Sequence, residues 1–300
     1  PRHRADSQHI TIAMTAIELI SNVALPIVLW LLMFIVGMEL TIADFRRVMV
    51  YPRAVTVATL GQLLLLPCVI GLLVWVLNPR PDIAAGMILV AVCPSGSLSN
   101  VYTYLARANV ALSVTLTAVS SLLALGSMPL LTAFGFALFL DQHDAIDIPF
   151  GRMILQLLLL LLLPVALGMS LKHWRGAFVQ RHGQALRRLS MGALTALVVS
   201  VIYNQRQLLG DDLAEVASAA FLFSLCAITL AWIIGALAGL KHEDCFTLML
   251  EFTVRNLAIT AAIGITVLGS VEFLLFAAIF LFVQLLLAVV LTLIYRYLWT

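Results

Sequence analysis

Long apolar runs dominate the hydrophobic pattern of the chain, and short polar or charged segments separate them. A helix that crosses the hydrocarbon core of a bilayer needs about 20 mostly apolar residues, and the runs have about that length or more. The pattern therefore predicts nine membrane-spanning helices joined by short loops. They cover residues 17–38, 52–77, 83–105, 109–139, 150–173, 187–206, 213–240, 244–268 and 271–299.

The composition changes this picture only by strengthening it. Hydrophobic residues make up 63% of the 300 residues and charged residues 11%, whereas soluble domains have about 25% charged residues. We therefore expect the lipid bilayer to surround most of the chain, and we predict one membrane domain over residues 1–300 that works as a monomer. A net charge of +2 carries no signature of nucleic-acid binding, so no nucleic-acid partner is expected.

Lysine and arginine are distributed unevenly between the two sides that nine spans define. The richer side is predicted to be cytoplasmic, which places the N-terminus outside and the C-terminus inside a multi-pass protein of the inner (plasma) membrane. An even number of spans would remove this asymmetry. The richer side collects Arg46, Arg47, Arg53, Arg107, Lys172, Arg175, Arg181, Arg187, Arg188, Lys241 and Arg296, and the other side collects Arg2, Arg4, Arg80, Arg152 and Arg206.

Two of the predicted spans are interrupted by polar residues. In span 83–105, Pro94 removes a backbone donor and Gly96 loosens the backbone, so this helix is predicted to stop near the middle of the membrane and start again. In span 244–268, a glutamate, an arginine and an asparagine lie within six positions: Glu251, Arg255 and Asn256. Ionisable groups at this depth normally face a polar cavity or a partner.

The positions of the two interrupted spans correspond if one further helix precedes the first span. This is the arrangement of inverted-repeat transporters, in which discontinuous helices meet at a site in the middle of the membrane. The ends of half-helices offer carbonyls to a cation and amides to an anion. A structural alternative is a pair between Glu251 and Arg255, which are spaced i, i+4 as on one helix face.

Five segments of the chain form a series of polar, glycine and proline patterns. They are Gly37–Leu40 with Asp44, Phe45 and Pro52; Gln62 with Pro67; Cys93–Asn100 with Tyr104–Arg107; Asn109–Thr117; and Glu251–Asn256. Taken together and in this order, they resemble the bile acid:sodium symporter family. The resemblance implies a ten-helix inverted-repeat fold that lacks its first helix. Two crossed discontinuous helices would belong to a core domain at about residues 52–139 and 213–299, and a panel domain would cover about 17–38 and 150–206.

The resemblance also implies two sodium sites behind the crossed helices, with sodium as the coupling ion and no cofactor. Oxygen ligands suit such a hard cation, and the i, i+4 spacing of Ser113 and Thr117 can place both hydroxyls on one helix face. Such hydroxyls also commonly bond to their own helix backbone. Site 1 would use Ser99, Asn100, Ser113, Thr117 and Glu251, and site 2 would use Gln62, Glu251, Phe252, Val254 and Arg255.

Arg255 departs from the family pattern, which has glutamine at this position. Arginine has no acceptor atom and stays charged, so it cannot ligate sodium. Three hypotheses follow. Arg255 replaces the second sodium as a tethered cation, which we favour; it binds a substrate carboxylate in the cavity; or it neutralises Glu251 and abolishes sodium coupling.

The function that the resemblance implies is secondary active import of an organic anion by alternating access. The anion would be bile-acid-like or a small carboxylate such as pantoate, coupled to sodium; the alternative is a sodium-independent carrier in which Arg255 replaces the second sodium. Ser97, Asn256 and Gln284 are the candidate substrate contacts, although an interhelical hydrogen bond explains Gln284 equally well.

Two other classes of protein compete with a carrier. The segment Pro94–Ser97 is similar to a serine nucleophile turn of an intramembrane hydrolase, but that chemistry needs a base within hydrogen-bond reach and every histidine lies in a predicted loop or tail. An enzyme is therefore not expected. Channels also use interrupted helices, yet two breaks at matching positions of one chain favour a carrier.

Overall fold

The computed structural model describes residues 25–139, 150–179, 206–270 and 273–299, together with scattered positions between 181 and 192. Most residues in these ranges are helical and none of them forms a β-strand, which confirms the predicted all-α class for this part of the chain. The principal helices are α1 (Leu25–Glu39), α2 (Ile42–Arg46), α3 (Pro52–Leu77), α4 (Pro81–Val92), α5 (Leu98–Ala106), α6 (Val110–Phe139), α7 (Gly151–Trp174), α8 (Arg206–Leu237), α9 (His242–Thr253), α10 (Leu257–Ala262) and α11 (Phe273–Trp299).

Five helices of the described ranges are long and apolar enough to cross a membrane. They are α3, α6, α7, the Leu213–Leu237 part of α8, and α11. The predicted spans 83–105 and 244–268 are each divided into two shorter helices. The predicted span 17–38 is described only from residue 25, and most of 187–206 lies outside the described residues. The count of nine spans and the orientation of the termini therefore remain predictions.

The helices α3 and α7 each contain a π-helical turn next to a proline. The turn Gly61–Leu65 precedes Pro67, and the turn Leu158–Leu162 precedes Pro164. Proline lacks an N–H and its ring clashes with the preceding turn, and a widened turn is one way in which a helix accommodates such a break. Both helices continue beyond the turn. In α3 the widened turn contains Gln62, which is buried.

Glycines bring α1 and α7 into backbone contact. A Cβ atom at Gly37 would lie 2.2 Å from the carbonyl oxygen of Val165, and one at Gly168 would lie 2.1 Å from that of Phe34. Small residues permit such close approach between membrane helices, where packing rather than the hydrophobic effect drives association. The two helices consequently pack as a close pair.

The interrupted helices lie among the long ones. The first half-helix, α4, packs against α6 and α11, and α9 packs against α5, α6 and α8. Phe223 of α8 packs against Phe276 and Phe280 of α11 beside them. This packing holds the breaks in α4–α5 and α9–α10 inside the protein, where irregular backbone at membrane depth is tolerated.

Candidate functional site

The two breaks cross each other as a pair of antiparallel extended segments. The amide of Gly96 donates to the carbonyl of Val254 at 2.8 Å, and the amide of Asn256 donates to the carbonyl of Pro94 at 2.9 Å. Ser95 and Arg255 face each other at the centre of this bridge. Backbone groups that leave a helix inside a membrane need partners within the protein, and here each break supplies partners for the other. We call this pairing the crossover.

Local sequence explains why the first break lies at this point. Cys93 precedes a proline and adopts an extended conformation, with φ −67° and ψ 147°, because a residue before proline is disfavoured in the helical region. Gly96 allows the second segment to approach, since a Cβ atom there would lie 2.9 Å from the carbonyl oxygen of Arg255. The proline ends α4 and the glycine admits the partner strand of the crossover.

The side chain of Arg255 closes the end of α4. Its Nε donates to the carbonyl of Val90 at 3.3 Å, and its Nη2 donates to the carbonyl of Ala91 at 3.0 Å and to that of Cys93. The last carbonyls of a helix lack partners within it and carry partial negative charge, so a guanidinium suits this position. Its Nη1 is buried and has no hydrogen-bond partner among the described residues.

Arg255 does not form the helical i, i+4 pair with Glu251. Helix α9 ends at Thr253, and Val254 is extended, so the two side chains leave the backbone in different directions. The hydrogen bonds of the guanidinium in the described part of the chain all go to carbonyl oxygens of α4.

Gln284 ties α11 to the crossover. Its Oε1 accepts a hydrogen bond from the backbone amide of Arg255 at 2.9 Å, and the residue is 1% exposed. A buried amide N–H costs free energy when it has no acceptor, so this contact stabilises the extended conformation of Arg255.

The five residues predicted for the first sodium site meet around the carboxylate of Glu251, which is fully buried. Its Oε1 accepts from Ser99 Oγ at 2.5 Å and from Ser113 Oγ at 2.6 Å, and its Oε2 accepts from Thr117 Oγ1 at 3.2 Å. Asn100 Oδ1 lies 2.7 Å from Ser113 Oγ. These five residues form what we call the oxygen cluster, which lies between the first turn of α5, the first turns of α6 and the last turn of α9.

The residues predicted for the second sodium site contact different parts of the protein and do not meet around one group as those of the first site do. Gln62 lies in the π-helical turn of α3, and its Nε2 has no hydrogen-bond partner among the described residues. The Val254 carbonyl accepts from Gly96, and the Arg255 guanidinium contacts α4. The ring of Phe252 packs towards Gly61, where a Cβ atom would lie 2.7 Å from it.

A cavity of about 90 Å³ lies at the crossover, between α1 and α7 on one side and α6 on the other. Ser97 and Asn256, two of the predicted substrate contacts, both line it, and each directly precedes a half-helix. Met33, Leu161 and Val165 supply apolar walls. Gln284, the third predicted contact, does not line this cavity and instead accepts a hydrogen bond from the backbone amide of Arg255.

Three further polar residues support the site, and sequence reasoning did not identify them. Ser95 Oγ and Ser120 Oγ are 3.0 Å apart and buried. Thr103 is fully buried, donates to the carbonyl of Ser99 at 2.8 Å and lies 3.4 Å from Ser113 Oγ. The i, i+4 spacing of Ser99 and Thr103 in a half-helix was the available signal, since it places both on one face.

Crossed half-helices with a buried oxygen cluster and an adjoining cavity, which Thr117 of the cluster also lines, define a membrane transport protein of the carrier type. The chain belongs to the sodium bile acid symporter family, whose sequence pattern matches residues 26–212. Its relatives are transporters, and the chain is a multi-pass membrane transport protein and not an enzyme. The hydrolase alternative is therefore wrong.

Three relatives illustrate the range of the family. The chain is 28% identical over 240 residues to the uncharacterized sodium-dependent transporter YocS of Bacillus subtilis (strain 168), which covers 80% of this chain and 73% of that protein. It is 30% identical over 221 residues to the probable chloroplast sodium/metabolite cotransporter BASS1 of Oryza sativa subsp. japonica, with 73% and 53% covered. The human ileal sodium/bile acid cotransporter is 26% identical over 250 residues, with 82% and 70% covered. The chain thus spans about half the length of the chloroplast relative.

Proposed function

We propose that the protein imports an organic anion together with sodium by alternating access, with the oxygen cluster as the sodium site. In this proposal α1 and α7 belong to a panel domain, and the interrupted helices belong to a core domain that moves relative to it. The N-terminus lies outside and the C-terminus inside the plasma membrane. The observation that carries the proposal is the position of Ser113 in the oxygen cluster.

The hydroxyl of Ser113 has one hydrogen but contacts two acceptors. Its Oγ lies 2.6 Å from Glu251 Oε1 and 2.7 Å from Asn100 Oδ1. When Glu251 is ionised, neither acceptor atom carries a hydrogen of its own, so one of these two contacts joins oxygen lone pairs without a proton between them. A cation among the oxygens relieves that repulsion, and the cluster of hydroxyl, amide and carboxylate oxygens is of the kind that hard cations prefer.

The charge of the cluster also suits a monovalent cation. Glu251 is its one ionisable member, and among the described residues no cationic side chain hydrogen-bonds to it. Arg255 is close enough to attract it electrostatically but donates its hydrogen bonds to carbonyls at the end of α4. A buried carboxylate that no cation contacts directly is costly. Sodium would supply a positive charge in direct contact, held by Ser99, Asn100, Ser113, Thr117 and Glu251. Two of the relatives are a sodium-dependent transporter and a sodium/bile acid cotransporter.

The cavity at the crossover has the polarity that an anion needs. Ser97 precedes the first residue of α5, and Asn256 precedes that of α10, so the amide ends of both half-helices begin at this cavity. Helix N-termini carry partial positive charge and bind carboxylates. A bile-acid-like anion or a small carboxylate such as pantoate would place its carboxylate here and its apolar body against Met33 and Val165.

The first turn of α5 connects the two sites. It holds Ser99 and Asn100 in the oxygen cluster, while Ser97 immediately before it lines the cavity. Sodium would hold this turn in one conformation and so raise the affinity for the anion. By thermodynamic linkage the anion would raise the affinity for sodium by the same factor.

A thermal-unfolding titration of the purified protein tests the sodium proposal. We expect sodium chloride to raise the melting temperature while potassium chloride at equal ionic strength does not, because a ligand of the folded state stabilises it. Glu251→Gln should lose this shift, and Ser113→Ala should weaken it. Ser127→Ala is the matched control, since among the described residues its hydroxyl bonds only to the carbonyl of Leu123 in the same helix α6. Equal effects of the two salts on the unsubstituted protein would favour the sodium-independent carrier.

The hydrogen bonds of Arg255 favour its role as a tethered cation among the three hypotheses. The guanidinium donates to three carbonyls at the end of α4, the position where a half-helix would otherwise attract a free cation. Arg255 is absent from the residues that line the cavity, and its described hydrogen bonds do not reach Glu251. We therefore propose that Arg255 occupies the second cation position and that transport is coupled to one sodium.

Sodium-dependent uptake by Arg255→Gln tests this second proposal. Glutamine can ligate a cation through its Oε1, so the Hill slope for sodium should rise from about one towards two in proteoliposomes supplied with taurocholate or pantoate. Arg152→Gln, at an exposed arginine of α7, should leave the slope unchanged. A folded Arg255→Gln protein with an unaltered slope would contradict the tethered-cation role without affecting the first sodium site.

A further inference from the structure

Thr103 is fully buried in α5 and contacts Ser113 of the oxygen cluster. Its Oγ1 donates to the carbonyl of Ser99 at 2.8 Å and lies 3.4 Å from the hydroxyl oxygen of Ser113. Because the single hydrogen of Thr103 is engaged by the Ser99 carbonyl, the lone pairs of its Oγ1 remain available to Ser113. A hydroxyl oxygen offers two such acceptor positions.

A cation in the oxygen cluster changes what Ser113 must do with its hydrogen. Without a cation, the hydroxyl donates to Asn100 Oδ1 or to Glu251 Oε1. When both of those oxygens ligate a cation together with Ser113 Oγ, a hydrogen that points at either one would repel the ion. The hydrogen then needs an acceptor that does not ligate the ion. The Thr103 hydroxyl oxygen, 3.4 Å from Ser113 Oγ, is such an acceptor.

We propose that Thr103 is a positioning residue for sodium, which accepts the Ser113 hydrogen when the ion is bound. The Ser113 hydroxyl thereby turns from a donor to the cluster into a ligand of the ion. This inference rests on the proposed sodium function of the oxygen cluster. It assigns to Thr103 a part in ion affinity although Thr103 does not ligate the ion itself.

A second buried threonine, Thr247, serves as a control for the possibility that Thr103 only supports its own helix. Thr247 of α9 is also fully buried, and it makes the same kind of bond to its own helix, from Oγ1 to the carbonyl of Glu243 at 2.7 Å. Its hydroxyl makes no described hydrogen bond to the oxygen cluster. If Thr103 only supported its helix, replacing either threonine by valine would have the same consequence.

The experiment compares Thr103→Val, Thr103→Ser and Thr247→Val by the sodium concentration that produces one fixed rise in melting temperature, which is proportional to the dissociation constant of the ion. We expect Thr103→Val to raise that concentration by roughly threefold to tenfold, the effect of one lost hydrogen bond. Thr103→Ser should match the unsubstituted protein, because serine keeps the acceptor. Thr247→Val should leave the sodium concentration unchanged. If Thr103→Val does not fold, Thr103→Ala replaces it.

A double-variant cycle separates positioning from packing. In a Ser113→Ala background no hydrogen needs an acceptor, so adding Thr103→Val should change the remaining sodium response by less than about twofold. Equal sodium concentrations for Thr103→Val and Thr247→Val would overturn the role of Thr103 and leave the sodium site intact. A sodium-insensitive unsubstituted protein would overturn the proposed function itself.

Discussion

The Nη2 atom of Arg255 donates a hydrogen bond to the carbonyl oxygen of Ala91 at 3.0 Å, so a residue from the second broken helix caps the end of the first. The two residues are far apart in sequence, and the extended segments of the crossover bring them together. A charged side chain in this position satisfies carbonyls that lie too deep for water. The crossover is therefore held both by paired backbone and by a cation that belongs to the chain.

Gly96→Ala should disrupt the crossover. The added Cβ would lie 2.9 Å from the carbonyl oxygen of Arg255, a backbone atom that cannot move without stretching the bond between the Gly96 amide and the Val254 carbonyl. We expect a loss of about 1–3 kcal/mol, seen as a lower melting temperature with and without sodium. Gly126→Ala in α6 is the control, because nothing lies within 4 Å of its Cβ position. A Gly96→Ala protein with the same melting temperature as the unsubstituted protein would refute the close approach of the two backbone segments.

Gln284→Leu should also weaken the crossover. It leaves the buried amide of Arg255 without an acceptor, which costs about 1–3 kcal/mol and should lower the melting temperature in any salt. Thr292→Val is the control on α11, since Thr292 bonds only to the carbonyl of Ala288 among the described residues. A substrate role for Gln284 predicts a different result: an unchanged melting temperature without ligand and a weaker response to the anion.

Gly168→Ala tests the contact between α1 and α7. Its Cβ would lie 2.1 Å from the carbonyl oxygen of Phe34, so the two helices must separate. We expect a lower yield of folded protein and a loss of at least about 1–3 kcal/mol, the usual cost of overpacking. Gly151→Ala, at the start of α7 with open space around its Cβ position, should behave like the unsubstituted protein. Equal melting temperatures for the two variants would show that the helices can relax without cost.

Ser97→Ala should lower anion affinity and leave ion affinity nearly unaltered. Ser97 lines the cavity, and its side chain makes no hydrogen bond that caps α5, so the protein without ligand should keep its melting temperature. The concentration of taurocholate or pantoate that produces one fixed rise in melting temperature in sodium should rise by roughly threefold to tenfold. Ser127→Ala serves again as the control. An unchanged anion response would remove Ser97 from the substrate site.

Local chemistry made the interruptions predictable. A proline and a glycine in one apolar run, and a carboxylate in another, violate what a bilayer tolerates in a plain helix, and the structure shows breaks at Cys93–Ser97 and Val254–Asn256. The convergence of Ser113, Thr117 and Glu251 in one cluster matches the set that family resemblance implied. Thr103 was missed because its i, i+4 spacing from Ser99 is also common for hydroxyls that only bond to their own helix backbone.

The sequence did not predict where side chains point in the parts of the backbone that are irregular. The i, i+4 spacing of Glu251 and Arg255 suggested a pair only on the assumption that the helix continues, and the helix ends between them. Gln284 had two equally good explanations from its position in an apolar run. Its bond to the Arg255 amide depends on where α11 lies relative to the crossover.

The chain by itself determined that it is a helical membrane protein, where its spans break, and which residues carry oxygen or charge at those breaks. These follow from short-range rules, because lipid penalises unpaired backbone and charge wherever they occur. Only the tertiary structure decided which carbonyls Arg255 reaches, that Ser97 and Asn256 share one cavity, and that Thr103 lies behind Ser113. Those contacts depend on how distant helices cross, which is the outcome of packing over the whole domain.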